Sequence, residues 1–152
     1  MPTLVIPLTL LGLVPLIAFA CGAVSPIPQT AVLMVVALID YAALILAFAG
    51  GVHWGLAMAP ESVRPSLRVS AGVLPMIVGW VVLVLAQLAA PPVALALLIA
   101  GYLATVLTEH RAAKRSLVPS GYVWMRWVFS VVAVAMMAMV LVLRGLGQTI
   151  VF

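Results

Sequence analysis

Polar positions along this chain are sparse and clustered. Ser25-Pro26-Ile27-Pro28-Gln29 interrupts one apolar run, and residues 60–66, with two prolines, Glu61 and Arg64, interrupt the next. Ala90-Pro91-Pro92 makes a tight break, and residues 109–120 form the longest polar stretch. The runs between these breaks approach or exceed the ~20 residues a helix needs to cross the hydrocarbon core of a bilayer. None has the polar face of a helix lying on a membrane surface. The pattern predicts five spanning helices, over about 3–24, 30–59, 68–89, 92–108 and 121–143. Short connectors make consecutive helices antiparallel neighbours. The expected fold is an all-α integral membrane bundle, a single transmembrane domain over residues 1–152. No internal repeat is visible, so the paired halves of many transporters are not expected.

Composition sharpens this picture. Of 152 residues, 67% are hydrophobic and 7% charged, against ~45–50% and ~25% in an ordinary soluble domain. So few charges cannot coat a water-exposed globule of this size. A soluble enzyme, a nucleic-acid module and a disordered chain are excluded. The net charge of +4 is the excess of seven scattered basic residues over three acidic ones, and the basic residues form no stripe for nucleic acid. The single cysteine, Cys21, excludes an internal disulfide and any Cys-based metal site. No basic residue precedes the first apolar run, so a cleaved secretory leader is not expected.

The placement of the basic residues sets an orientation. In a five-span chain, Arg64, Arg68, Arg111, Lys114, Arg115 and Arg126 all fall on the side of the N-terminus, and Arg144 alone falls on the other. The bias of Lys and Arg toward the inner face places the N-terminus in the cytoplasm and the C-terminus outside. Trp124 and Trp127 flank Arg126 and read as an interfacial anchor. All these residues are topogenic in the plainest reading, with anionic-lipid contact as a compatible extra role. Pro7, Pro15 and Pro75 fall inside spans, where neighbouring helices cover the carbonyls that proline frees.

The second span carries the most information. Ala43, Ala47, Gly51, Gly55 and Ala59 recur every four residues, a small-residue stripe that lets another helix approach closely. The partner helix is either within the bundle or in another subunit. Asp40 is the one acid well inside an apolar span, ~15 Å deep and near the bilayer centre. Its helical phase matches Ala47 and Gly51, so it is expected to face protein. Tyr102, Ser130 and Trp80 lie at similar depth on other spans and are its expected partners. One reading is interhelical glue; the other is a site for a proton or polar ligand. His53, ~9 Å from the inner boundary, falls roughly opposite Asp40 and is not expected to meet it. Beside Trp54 and two glycines, it either bonds a neighbouring carbonyl or lines a headgroup-level pocket for a quinone or lipid.

Familiar catalytic patterns are missing. There is no HExxH, no GxSxG, no phosphate loop and no carboxylate cluster for magnesium. The chain is therefore not expected to be an enzyme or to hold a metal or resident cofactor. The Met136-Met137-Ala138-Met139 run reads as adaptable packing. Two functional readings follow. The first is a non-enzymatic accessory or assembly subunit of a larger energy-transducing membrane complex, with lipids and other integral membrane subunits as partners. The second is a small binding or transport protein for a proton, quinone or lipid, using Asp40 or His53.

Three segments resemble a known family. Leu11-Gly12-Leu13-Val14-Pro15 resembles an opening LGxxGLxP pattern with one glycine kept. Residues 41–55, YAALILAFAGGVHWG, closely resemble a central YxAxILSFLGGxHWG signature, with Ala47 and Ala49 in place of Ser and Leu. Residues 119–128, with Tyr122, Trp124, Arg126 and Trp127, resemble the aromatic and arginine segment opening the last helix. The family is domain of unknown function 3429, to which the mitochondrial transmembrane protein 69 is related. The resemblance implies a small multi-pass protein of bacterial inner (plasma) or mitochondrial inner membranes. It brings no established reaction or catalytic residue, and Asp40 lies outside the signature.

Overall fold

A computed structural model describes residues 7, 10–59, 64–88, 90–114 and 120–147. They form five helices: α1 (Leu13–Ala23), α2 (Pro28–Ala57), α3 (Pro65–Gln87), α4 (Pro91–Ala113) and α5 (Ser120–Gly145). Among the described residues there is no strand. Helices α2 to α5 are each long and apolar enough to cross a membrane, whereas α1 is an 11-residue apolar helix. The described part of the first expected span thus lies mostly in α1, and residues 1–6, 8 and 9 lie outside the described residues.

Prolines set the helix starts. Pro28, Pro65 and Pro91 each stand in the first turn of their helix, where the missing N–H is no loss and the fixed φ already suits the helix. The helices therefore begin one to three residues earlier than the expected 30, 68 and 92, because a proline that breaks the preceding chain also nucleates the next helix. Arg64 ahead of Pro65 takes a left-handed conformation with φ 57°, which fits the bias against right-handed helix in the residue before a proline. The larger correction is at α4. It runs to Ala113 instead of stopping near residue 108. Polarity rises after Thr108, but nothing in Glu109-His110-Arg111-Ala112-Ala113 breaks a helix.

Helix α2 is the centre of the bundle. It packs on α1, α3 and α4, and α5 closes the ring between α4 and α1. Leu38, Ile39, Leu46, Leu98, Tyr102, Met137 and Val140 are fully buried between them. Large apolar side chains also cover the outside: Phe48 is 77% exposed, and Leu44, Leu74 and Trp80 each exceed 60%. In water such a surface would aggregate. With lipid as the solvent it is the expected exterior, so the chain is a membrane-embedded protein.

The α2–α3 crossing is the tightest. A Cβ at Gly50 would overlap the Gly72 carbonyl oxygen, and one at Gly79 would stand 3.0 Å from the Ala43 carbonyl oxygen. The two contacts are seven residues apart on each helix and run in opposite directions, so the pair is antiparallel and backbone touches backbone. The expected small-residue stripe is only half used in this way. Ala43 is buried and Ala47 lies near Gly79, but Gly51, Gly55 and Ala59 are exposed. Gly50, one position away, takes the close contact instead. A helix turns 3.6 residues per turn, so a strict four-residue repeat drifts off a straight neighbour, whereas a seven-residue step nearly returns to it.

Candidate functional site

Glu109 is the organising residue. It follows Leu98, Tyr102 and Val106 on the inward face of α4, all of them buried, at the i, i+4 and i+3 steps that keep one helical face. Its own exposure is 0%. An acid there needs donors, and three arrive from two other helices. Tyr122 on the first turn of α5 donates its hydroxyl to Oε1 at 3.0 Å. Arg126, one turn further along α5, donates Nε–H to Oε2 at 3.0 Å. His53, from the last turns of α2, places Nε2 3.5 Å from Oε1. Tyr122 and Arg126 are i and i+4, so they present from one side of α5 to the same carboxylate.

Deeper in the bundle the polar face continues. Ser130 lies one turn beyond Arg126 and is buried. Among the described residues, Arg126 Nη2 and Ser130 Oγ have no hydrogen-bond partner. Tyr102 is fully buried and donates its hydroxyl to the Ala42 carbonyl at 2.9 Å, tying α4 to α2. Near the opposite end, Tyr41 donates to the Gly12 carbonyl at 2.8 Å and meets Phe19 edge to face at 5.9 Å. Arg144 donates to the Ala23 carbonyl at 3.0 Å, a cation at the C-terminus of α1.

This geometry redraws the expected site. Asp40 is exposed and makes no hydrogen bond or ion pair to any described residue, so it does not face the bundle interior. Trp80 is likewise exposed, at 66%, while Tyr102 and Ser130 are buried. The four do not assemble. A 100° wheel put Asp40 on the side of Ala47, but the core lies further round α2, at Leu38, Ile39, Ala42 and Leu46. His53 lies away from Asp40, as its phase predicts, and meets Glu109. Trp54 packs over Gly72 of α3 and keeps 42% exposure.

The basic and aromatic residues at this end divide. Arg64, Arg111 and Lys114 are exposed, Arg68 is half-buried, and Arg115 lies outside the described residues. Trp124 is exposed, while Trp127 is partly buried with His110 edge-on to it at 5.9 Å. Arg126 is buried in the bundle, with only 8% of it exposed, where it pairs with Glu109. Glu109 falls just beyond the expected fourth span, which ends near 108, and Tyr122 enters the sequence reading only through the family resemblance. The signal available was spacing, since Glu109 lies seven residues, or two turns, beyond Tyr102 on one face.

Chemically, the cluster is a closed carboxylate network. One acid neutralises a guanidinium and binds a phenol and an imidazole, joining the same-side ends of α2, α4 and α5. Among the described residues no three His, Cys, Asp or Glu side chains group as metal ligands. The family model described as protein of unknown function (DUF3429) matches residues 1–142, and the chain belongs to that family. No curated protein and no solved structure matches the chain.

Proposed function

We propose that this DUF3429 member is a five-span inner-membrane protein that works by contact, as an accessory or assembly subunit of a larger energy-transducing membrane complex. The N-terminus is cytoplasmic and the C-terminus outside, with Arg64, Arg68, Arg111 and Lys114 at the cytoplasmic end. No catalytic activity is assigned, and the partners are lipids and other integral membrane subunits. The observation that carries this reading is the exposed part of the α2 stripe. Among the described residues a Cβ at Gly51 or Gly55 would meet nothing within 4 Å, so they leave a GxxxG element uncovered. Small residues in that setting are the usual contact for another spanning helix. The test is mild extraction from native membranes followed by sizing and identification of co-migrating chains. A larger assembly containing other membrane subunits supports the reading, and a lone chain overturns it.

A second reading is binding of a proton, quinone or lipid headgroup using Asp40 or His53, of which His53 has the polar surroundings. The unpartnered donor of Arg126 and the hydroxyl of Ser130 beside a His53–Glu109 contact favour it. His53→Ala with folded yield intact and ligand binding lost would support it over the contact reading.

A further inference from the structure

We propose that the outward flank of the α2–α3 seam is a two-fold interface between copies of this chain, in which Asp40 of each copy accepts a hydrogen bond from the Trp80 indole of the other. The proposal deepens the contact reading above by naming one partner and the groups that meet.

Depth comes first. Gly79 is level with Ala43 and Gly72 with Gly50 across the antiparallel crossing. Asp40 is therefore level with about residue 82 of α3, and Trp80 stands only ~3 Å from it in depth. Side comes next. On α2, Asp40 lies about 60° round from Ala43, in the direction away from the core residues Leu38, Ile39 and Leu46. On α3, Val78 approaches Gly101 of α4. Trp80 lies about 160° round from Val78, so it falls on the far flank of the α2 contact. Asp40 and Trp80 thus border the same seam from its two helices, and both are exposed.

Chemistry then selects the occupant. An acid facing hydrocarbon near the middle of a 30-residue apolar helix is costly, and such groups nearly always face protein. Neither Asp40 nor Trp80 has a hydrogen-bond partner among the described residues. One offers an acceptor and the other an N–H donor. A two-fold axis along the membrane normal keeps every residue at its own depth and pairs residue i with j and j with i. Under that operator Asp40 meets Trp80 twice. The face is self-complementary, with Val36, Leu44 and Met76 as apolar surroundings.

The experiment uses the full chain in native membranes and in mild detergent. In a Cys21→Ala background, copies with two different tags carry Asp40→Cys and Trp80→Cys respectively. A mixed-tag disulfide dimer is expected, and none from Leu103→Cys on exposed α4. Without cysteines, Asp40→Leu and Trp80→Phe should each weaken dimerisation by about tenfold, while Asp40→Asn, which keeps a carbonyl acceptor, should retain it. Asp40→Leu places an apolar group in lipid, so the monomer itself should fold. A monomeric wild type, a dimer indifferent to both substitutions, or a crosslink from Asp40→Cys to a different protein overturns the proposal. A dimer without other subunits would sink the accessory-subunit reading alone; other subunits without this dimer would sink this inference alone.

Discussion

Arg126 Nε and Glu109 Oε2 stand 3.0 Å apart across α4 and α5, with the carboxylate fully buried and the guanidinium nearly so. Each is the reason the other can be inside. Removing one charge leaves the other unpaired in a low dielectric, which costs about 3–5 kcal/mol, whereas replacing both with apolar groups costs far less. Arg126→Leu and Glu109→Leu should each lower thermal stability in detergent sharply. The double variant should recover much of that loss. Equal additive losses would show that the pair does not act as a unit.

The Gly50–Gly72 contact predicts a steep steric penalty. A new methyl at Gly50 meets a backbone carbonyl, which cannot rotate away, so Gly50→Ala should destabilise by about 1–3 kcal/mol. Gly51→Ala has open space and gains helix propensity of about 1 kcal/mol. Thermal unfolding of the two variants should therefore move in opposite directions, although the residues are adjacent.

Tyr102 offers a milder test. Its hydroxyl holds the Ala42 carbonyl while its ring fills the core. Tyr102→Phe keeps the ring and should cost about 1 kcal/mol. Tyr102→Ala also opens a cavity and should cost about 3–5 kcal/mol. The gap between the two melting shifts measures packing against hydrogen bonding.

Arg144 reaches from the last turn of α5 to the Ala23 carbonyl, beside the turn into α2. Arg144→Ala should leave the Glu109 end undisturbed and loosen this one. Hydrogen exchange should quicken in residues 20–27 and remain unchanged in residues 105–113. Faster exchange at both ends would mean the two ends are coupled.

Much of the fold was legible because apolar runs and breakers are local signals. Four long helices appear where hydropathy predicts them, with ends shifted by a few residues. The site was less legible. From the sequence His53 reads as a carbonyl-bonded or ligand residue and Arg126 as an anchor. Their common partner Glu109 looked like part of a polar connector. A connector and the last polar turn of a helix have the same composition, and only the backbone separates them. Tyr122, thirteen positions from Glu109, gave no local hint of its role.

By itself the amino-acid order determined that the chain is helical and membrane-embedded, because a chain this apolar and this poor in charge cannot satisfy its surface or its backbone in any other way. Tertiary structure decided which polar groups are inside. Helical phase leaves the zero of each wheel undetermined, and that zero is set by where neighbouring helices sit. Gly50 against Gly72 rotated α2 so that Asp40 faces outward and His53 inward. The turn of one helix chose between an interior acid and an exterior one, and no reading of residues along the chain contains that angle.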